Sequence, residues 1–359
     1  MTGTGLKSIR ILAGPSALKQ IKDRGFQPDD VHVVTGAAGG PKWLALSHID
    51  RFLFSDWFKD RKKILHLVGA SAGAWRLAAA ATNDPNAAIG RFEDLYIAQQ
   101  YALKPTAAQV TAKSNEIIAG YLGAHGIKEI LNHPVHRLSI LVNRCRGLLS
   151  VEHAHALKIS IGTVGLSSVI YRNALTAFID RFIGSDVRDP LPIVTSKKDQ
   201  MYSLAPDNFA ASLLASGSIP VVMSGVRDVA GTGSGMFRDG GLIDYHVDLP
   251  FALESGGLIL CPHFLPKIIP GWFDRFAPWR RPRHADKTVL IVPSDSFIRK
   301  LPNGKIPCRK DFFSYAGRDA ERKKIWKSSV AACKELADDF AEVVSSGMIG
   351  SVVEPLEPM

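Results

Sequence analysis

Ile64-Leu65-His66-Leu67-Val68-Gly69-Ala70-Ser71-Ala72-Gly73-Ala74 is the stretch on which the fold turns. The run 64–68 reads as a buried strand, and Ala74 to Ala81 as a helix of small residues. Between them stands Gly69-Ala70-Ser71-Ala72-Gly73, a strand-to-helix turn with a serine at its apex. A serine on such a turn holds its hydroxyl clear of the sheet, where it can attack. The residues two before and two after it come so close that only small side chains fit, and all four neighbours are Gly or Ala. The following helix aims free N–H groups and a positive dipole end at the same point. Ser71 is the candidate nucleophile, with Gly69 and Gly73 as structural residues of its turn. The rival reading is a tight turn without chemistry.

Working outward, Val31-His32-Val33-Val34 reads as a second buried strand. Glycines follow it, and helical periodicity then runs from about Trp43 to Phe58. Strand, glycine turn, helix, strand, tight turn, helix predicts an α/β fold with a mostly parallel sheet. The stretch 84–130 reads as helical, laid over the sheet. Further strands are expected at Leu138–Val142, Lys158–Thr163, Leu258–Cys261 and Thr288–Val292, with one long late helix over Asp319–Ser346. No internal repeat is present.

The loop Thr35-Gly36-Ala37-Ala38-Gly39-Gly40-Pro41-Lys42 leaves one strand and enters a helix. Its small residues let backbone N–H groups converge into an anion cradle. A nucleotide phosphate loop is one reading, but Lys42 follows Pro41, and Trp43 stands where Ser or Thr is required. The other is an oxyanion hole built from Gly36, Ala37, Ala38, Gly39 and Gly40, one strand–helix unit before Ser71. Lys42 either adds charge to the cradle or is a solvated residue at a helix start.

Far downstream lies Arg238-Asp239-Gly240-Gly241, by itself only a turn signal. The order of glycine loop, G-x-S-x-G and distant D-G-G, with Ala215-Ser216-Gly217-Ser218-Ile219-Pro220 shortly before the aspartate, resembles the patatin-like phospholipases. The resemblance covers about residues 28–262, within one expected domain over 1–359 whose extension begins near 263. It implies a three-layer fold with a central, mostly parallel sheet flanked by helices and the site at the C-terminal strand ends. It also implies a Ser–Asp dyad without histidine. Ser71 would be the nucleophile, Asp239 its base, and Gly240 and Gly241 structural residues of the motif. Neither cofactor nor metal is implied. The reaction would be hydrolysis of lipid acyl esters, glycerophospholipids or lysophospholipids, through an acyl-enzyme. The loop departs from the family's D-G-G-G-x-[RK]-G pattern. In one register Ala37 and Ala38 replace glycines; in the other Lys42 takes the basic position and Trp43 that of the last glycine. Two rivals stay open: a Ser–His–Asp esterase using His246, and a lipid-binding protein that has lost the chemistry.

With 359 residues, 46% hydrophobic and 22% charged, the chain can bury a sizeable core. A net charge of +10 suits anionic lipid, nucleic acid or acidic partners. Without a zinc finger, RNA-recognition signature or basic tail, nucleic acid is not expected as a partner. No signal-peptide pattern opens Met1 to Arg10, so a cytoplasmic location is expected. Cys145, Cys261, Cys308 and Cys333 lack disulfide or metal spacing and are expected as reduced thiols. His66 reads as a core histidine, His153 and His155 as an incomplete metal pair, and Asp244 and Asp248 as caps of the turn after Asp239. In 264–287, Trp272, Phe273, Phe276 and Trp279 stand among Lys267, Arg275, Arg280, Arg281, Arg283 and Lys287. Rings interleaved with cations suit peripheral membrane contact. A core-packing loop and a lid are the other readings, and the segment is expected to loop out.

Overall fold

The apolar runs at 31–34, 64–68, 138–142, 258–261 and 288–292 all become strands of one sheet. They do so in a computed structural model that describes residues 6–196 and 199–356. In chain order the strands are β1 (Ile9–Ala13), β2 (Val31–Gly36), β3 (Leu65–Ala70), β4 (His136–Cys145), β5 (Ile179–Ser185) and β6 (Asp199–Ser203). There follow β7 (Val226–Arg227), β8 (Met236–Asp239), β9 (Leu258–Pro262), β10 (Thr288–Pro293) and β11 (Glu354–Pro355). They line up as β11-β1-β10-β9-β2-β3-β4-β5-β6, with β8 on β4 and β7 on β8. The centre, β10-β9-β2-β3-β4, is parallel throughout, while β1, β5 and β8 join it antiparallel.

Alternation along the strands divides the core between two faces. Val34, Leu67 and Ile140 enter the larger cluster, under the helices Ala72–Ala80, Pro85–Ala98, Ala107–Leu122, Phe209–Gly217 and Lys334–Ser346. Val33, Val68 and Leu141 pack on the opposite face against Tyr245, Val247 and Leu249. The helix Ala154–Ile170 flanks that side through Leu157 and Val164, which cluster with Phe273. The result is a three-layer α/β fold with a mostly parallel central sheet flanked by helices. Among the described residues no helix is long and apolar enough to cross a membrane.

Several local expectations need correction. Lys158–Thr163 is not a strand but lies inside the 17-residue helix Ala154–Ile170. Its buried stripe is Leu157, Ser160, Val164 and Ser168, at helical spacing, while Ile159, Leu166 and Ile170 face outward. Serines on the inner face and apolar residues on the outer one disguise the 3.6 period. The helix expected over 43–58 is a 3-10 turn at Gly40–Leu46, an α-turn at Ser47–Phe52 and a π-turn at Leu53–Trp57. The late helix breaks at the buried Cys333 into Asp319–Ala332 and Lys334–Ser346.

Nor does the 262–287 segment stand away from the body. His263, Phe264, Ile268, Phe273 and Asp274 are buried, and the Asp248 carboxylate accepts the N–H groups of Arg283 and His284 at 2.7 and 2.9 Å. Asp248 is therefore a tether for this segment rather than a turn cap. Asp244 instead accepts Arg181 Nε and Nη2, at 2.8 Å each.

Candidate active site

Strand β4 sets the spacing of the site. One of its edges pairs with β5 along Ser139–Cys145. The other edge pairs with β3 as far as Ala70 opposite Leu141, and from the next residue with β8, Val142 opposite Asp239. The end of β3, where Ser71 turns off, and the end of β8 therefore meet on two adjacent residues of one strand.

At that junction the Ser71 hydroxyl donates to Asp239 Oδ2 at 3.0 Å. Ser71 holds φ 55° and ψ −132°, a region that non-glycine residues avoid. Strain of this kind persists only where the surroundings enforce it. Its N–H donates to Ser216 Oγ at 2.9 Å, and Ser216 donates on to the Leu141 carbonyl at 2.7 Å. Close packing fixes the rest of the turn. A Cβ on Gly73 would lie 2.1 Å from the Gly36 carbonyl oxygen, and one on Gly69 would lie 2.5 Å from the Ala74 nitrogen. The serine turn and the glycine loop touch backbone to backbone.

Asp239 is held as firmly. Its Oδ1 accepts the Gly241 N–H at 2.7 Å, and its own N–H donates to the Ser218 carbonyl at 3.0 Å. Asn143 Nδ2 donates to the carbonyls of Asp239 and Gly240 at 2.7 and 3.0 Å. A Cβ on Gly240 would lie 2.2 Å from the Leu141 carbonyl oxygen, so this step too requires glycine. Burial pushes the Asp239 carboxyl up to about 6, against the opposing pull of the Gly241 N–H, Arg309 and the Ser71 hydroxyl. A carboxylate near that value is matched to a proton taken and returned near neutrality.

Of the five expected oxyanion donors the structure makes some unavailable. Gly36 is the last residue of β2, and the Ala38 N–H is spent on the Tyr245 carbonyl at 2.8 Å. Gly39 and Gly40 open toward the two cavities that meet at Ser71. Ala72, first residue of the Ala72–Ala80 helix, also lines a cavity, and its N–H has no carbonyl within the helix to bond.

The histidines stand elsewhere. His246 is buried, its Nδ1 accepts the Ile269 N–H at 2.9 Å, and burial holds its pKa well below the ordinary value. It packs on Tyr245, His263 and Phe264 and is not bonded to Ser71 or Asp239. His66, half-buried on β3, is lowered to about 4 by burial. Among the described residues no group of three or more His, Cys, Asp or Glu could hold a metal, His153 and His155 included.

Neither a protein-family model nor a curated protein matches the chain. Among solved structures it is similar to VipD from Legionella pneumophila, with a TM-score of 0.31 and 15% identity. That match covers 65% of this chain and 50% of VipD, so the chain spans about half of that protein's length. The likeness is too distant to assign a role to any residue.

Some residues of the site carried little or no signal in the sequence. Asn143 is a polar residue at the end of an apolar strand, which marks it as buried for a reason without saying which. Ser216 stood in a quoted segment, but its bridge between Ser71 and β4 is visible only in three dimensions. Arg309 lies in an irregular stretch between two short helices and lines both cavities at Ser71.

Proposed function

We propose that the chain is a serine hydrolase of lipid acyl esters, similar in design to the patatin-like phospholipases. The observation that carries this reading is the 3.0 Å bond from a strained, buried serine to a carboxyl raised to about 6. Asp239 takes the proton as Ser71 Oγ attacks the acyl carbonyl. The N–H groups of Ala72, Gly39 and Gly40 receive the developing oxyanion. Collapse expels the alcohol, which carries away the proton held by Asp239. Water, deprotonated in turn by Asp239, then releases the acid. A fluorophosphonate probe tests the reading directly: it is expected to label the wild type, with the adduct mapped to Ser71. No labelling of folded protein would overturn it.

One of the two cavities at Ser71 is built for an acyl chain. Trp75, Leu103, Val110, Met223, Phe312 and Phe313 line it, from the Ala72–Ala80 helix, the 84–130 insertion, the stretch after the Phe209–Gly217 helix and the C-terminal extension. Filling it shortens the chain it accepts. Val110→Trp is expected to move the preferred p-nitrophenyl ester to a shorter acyl length, while activity on the acetate survives. Unchanged chain-length preference in a folded variant would place the acyl group elsewhere.

Peripheral membrane contact belongs to the same proposal, with its residues revised. Phe276 and Trp279 are 59% and 61% exposed, whereas Phe273 is buried. Arg280 is a structural pin, bonded to Asp274 Oδ1 at 2.8 Å and to carbonyls of Ser168 and Val169. Arg281 and Arg283 are exposed. A cation near an anionic surface contributes about 1 kcal/mol, and salt screens it. Arg281→Ala with Arg283→Ala is expected to lower affinity for anionic vesicles and flatten its salt dependence. Trp279→Ala is expected to lower affinity with the slope unchanged. Co-sedimentation across a salt series checks both, and unchanged binding in all variants removes the segment from the membrane.

A further inference from the structure

The second cavity at Ser71 has the opposite chemistry. Lys42, Arg275, Arg309 and Lys310 line it, and Asp239 is the one acid among its lining residues. Three cations nearby in the chain are paired with acids: Arg280 with Asp274, Lys305 with Asp311, Arg322 with Asp319. The four in the cavity form no ion pair among the described residues. Lys42 and Arg275 rest instead on aromatic rings, Lys42 Nζ 4.7 Å from the Phe264 centroid and Arg275 5.7 Å from that of Trp272. Burial, then repulsion by Arg275 and Arg309, lowers the pKa of Lys42. A cleft that gathers four cations against a single buried carboxyl is poised for an anion brought from outside.

We propose that this basic cavity binds an anionic group on the alcohol side of the ester, making the chain selective for acidic lipid esters, with Arg275, Arg309 and Lys310 reading the charge. The alcohol-side placement rests on the hydrolase reading above: with the acyl chain in the apolar cavity, the leaving alcohol faces the basic one. Ser71 and Arg309 line both cavities, so the scissile bond lies at the partition. Arg275, Arg309 and Lys310 all lie beyond residue 262, outside the segment that carries the serine, glycine-loop and aspartate motifs. The guanidinium groups can hold phosphate or carboxylate through paired N–H donors.

The test uses Ser71→Ala protein, in which binding is read without turnover. Titration calorimetry with sub-micellar 1-octanoylglycerol 3-phosphate, the octanoyl ester of glyceric acid and neutral 1-octanoylglycerol compares the charges on one acyl chain. The phosphate ester is expected to bind at least ~10-fold more tightly than the neutral ester at low salt, the gap narrowing as salt rises. Arg275→Gln with Lys310→Gln, in the same background, is expected to bring the two within about 2-fold, and Arg275→Lys alone to keep a preference. Equal affinity of glycerate and phosphate esters would mean that charge alone is read, and a phosphate-only preference that shape is read too; both support the site. Competition by inorganic phosphate distinguishes capture of the free ion from capture of the ester's own head. Equal binding of charged and neutral esters, an unchanged preference in the double variant, or no binding of any ester overturns the proposal. Hydrolysis of p-nitrophenyl octanoate by the wild type is scored separately. Preference without hydrolysis would remove the reaction and keep the site, and hydrolysis without preference would do the reverse.

Discussion

Ser71→Ala is expected to lower ester hydrolysis by at least ~10³-fold and to abolish fluorophosphonate labelling, with the fold intact. On the proposed reading, the loss follows from removing the nucleophile that would form the acyl-enzyme. Retention of the fold follows from what the residue does apart from its hydroxyl. The backbone N–H that bonds Ser216 remains, and alanine meets the same positive φ that serine already tolerates. The hydroxyl bonds Asp239 Oδ2, and its removal leaves Oδ1 on the Gly241 N–H. A lipid-ester assay beside a thermal melt checks both halves. Activity within a few-fold of wild type in folded Ser71→Ala would end the dyad reading.

Asp239→Asn is expected to match that loss, and the Ser71→Ala, Asp239→Asn double variant to be no worse than either single one, because the two act as one unit. The same change is expected to stabilise the fold at neutral pH. Burial raises the folded-state carboxyl from its ordinary 3.8 to about 6, so between those values the folded protein binds the proton more tightly than the unfolded chain. Stability is therefore lost as pH rises from about 4 to about 6, and the deficit persists above. Asparagine carries no charge and removes that loss, while its oxygen can still accept the Gly241 N–H. The Tm of Asp239→Asn should exceed that of wild type at pH 8, with the gap closing toward pH 4. Wild-type turnover should fall as pH drops through about 6, where the base takes up its proton. A variant less stable than wild type at every pH would show that the carboxylate is held for structure.

The parallel centre of the fold could be read from the sequence because each buried strand there is a short apolar run bounded by glycine or a helix, as at Val31–Gly36 and Leu65–Ala70. The proximity of Ser71 and Asp239 was legible only through motif order, since 168 residues separate them and no local periodicity connects them. Strand β5 carries Asp180, Arg181 and Gly184 among its apolar residues, and β6 exposes Gln200 and Met201, so neither announces itself by pattern. The helix Ala154–Ile170 misleads for a physical reason, with Ser160 and Ser168 facing inward and Ile159, Leu166 and Ile170 outward. The loop donors were not legible because their availability depends on one distant carbonyl, that of Tyr245, which occupies Ala38. The basic cavity was hidden for a related reason: Lys42, Arg275 and Arg309 are scattered through the chain, and only the tertiary fold gathers them.

The shared edge of β4 also governs when the site comes into being during synthesis. A chain emerging from the ribosome presents β3, the serine and β4 early, and those can pair as soon as they are exposed. The second half of that edge stays vacant until β8 has been made, nearly a hundred residues later, because β8 alone brings the aspartate to Val142. Until then the serine has no base within reach. On the dyad reading, an unfinished or prematurely released chain is an inert one, and the site is switched on by completion of the strand order.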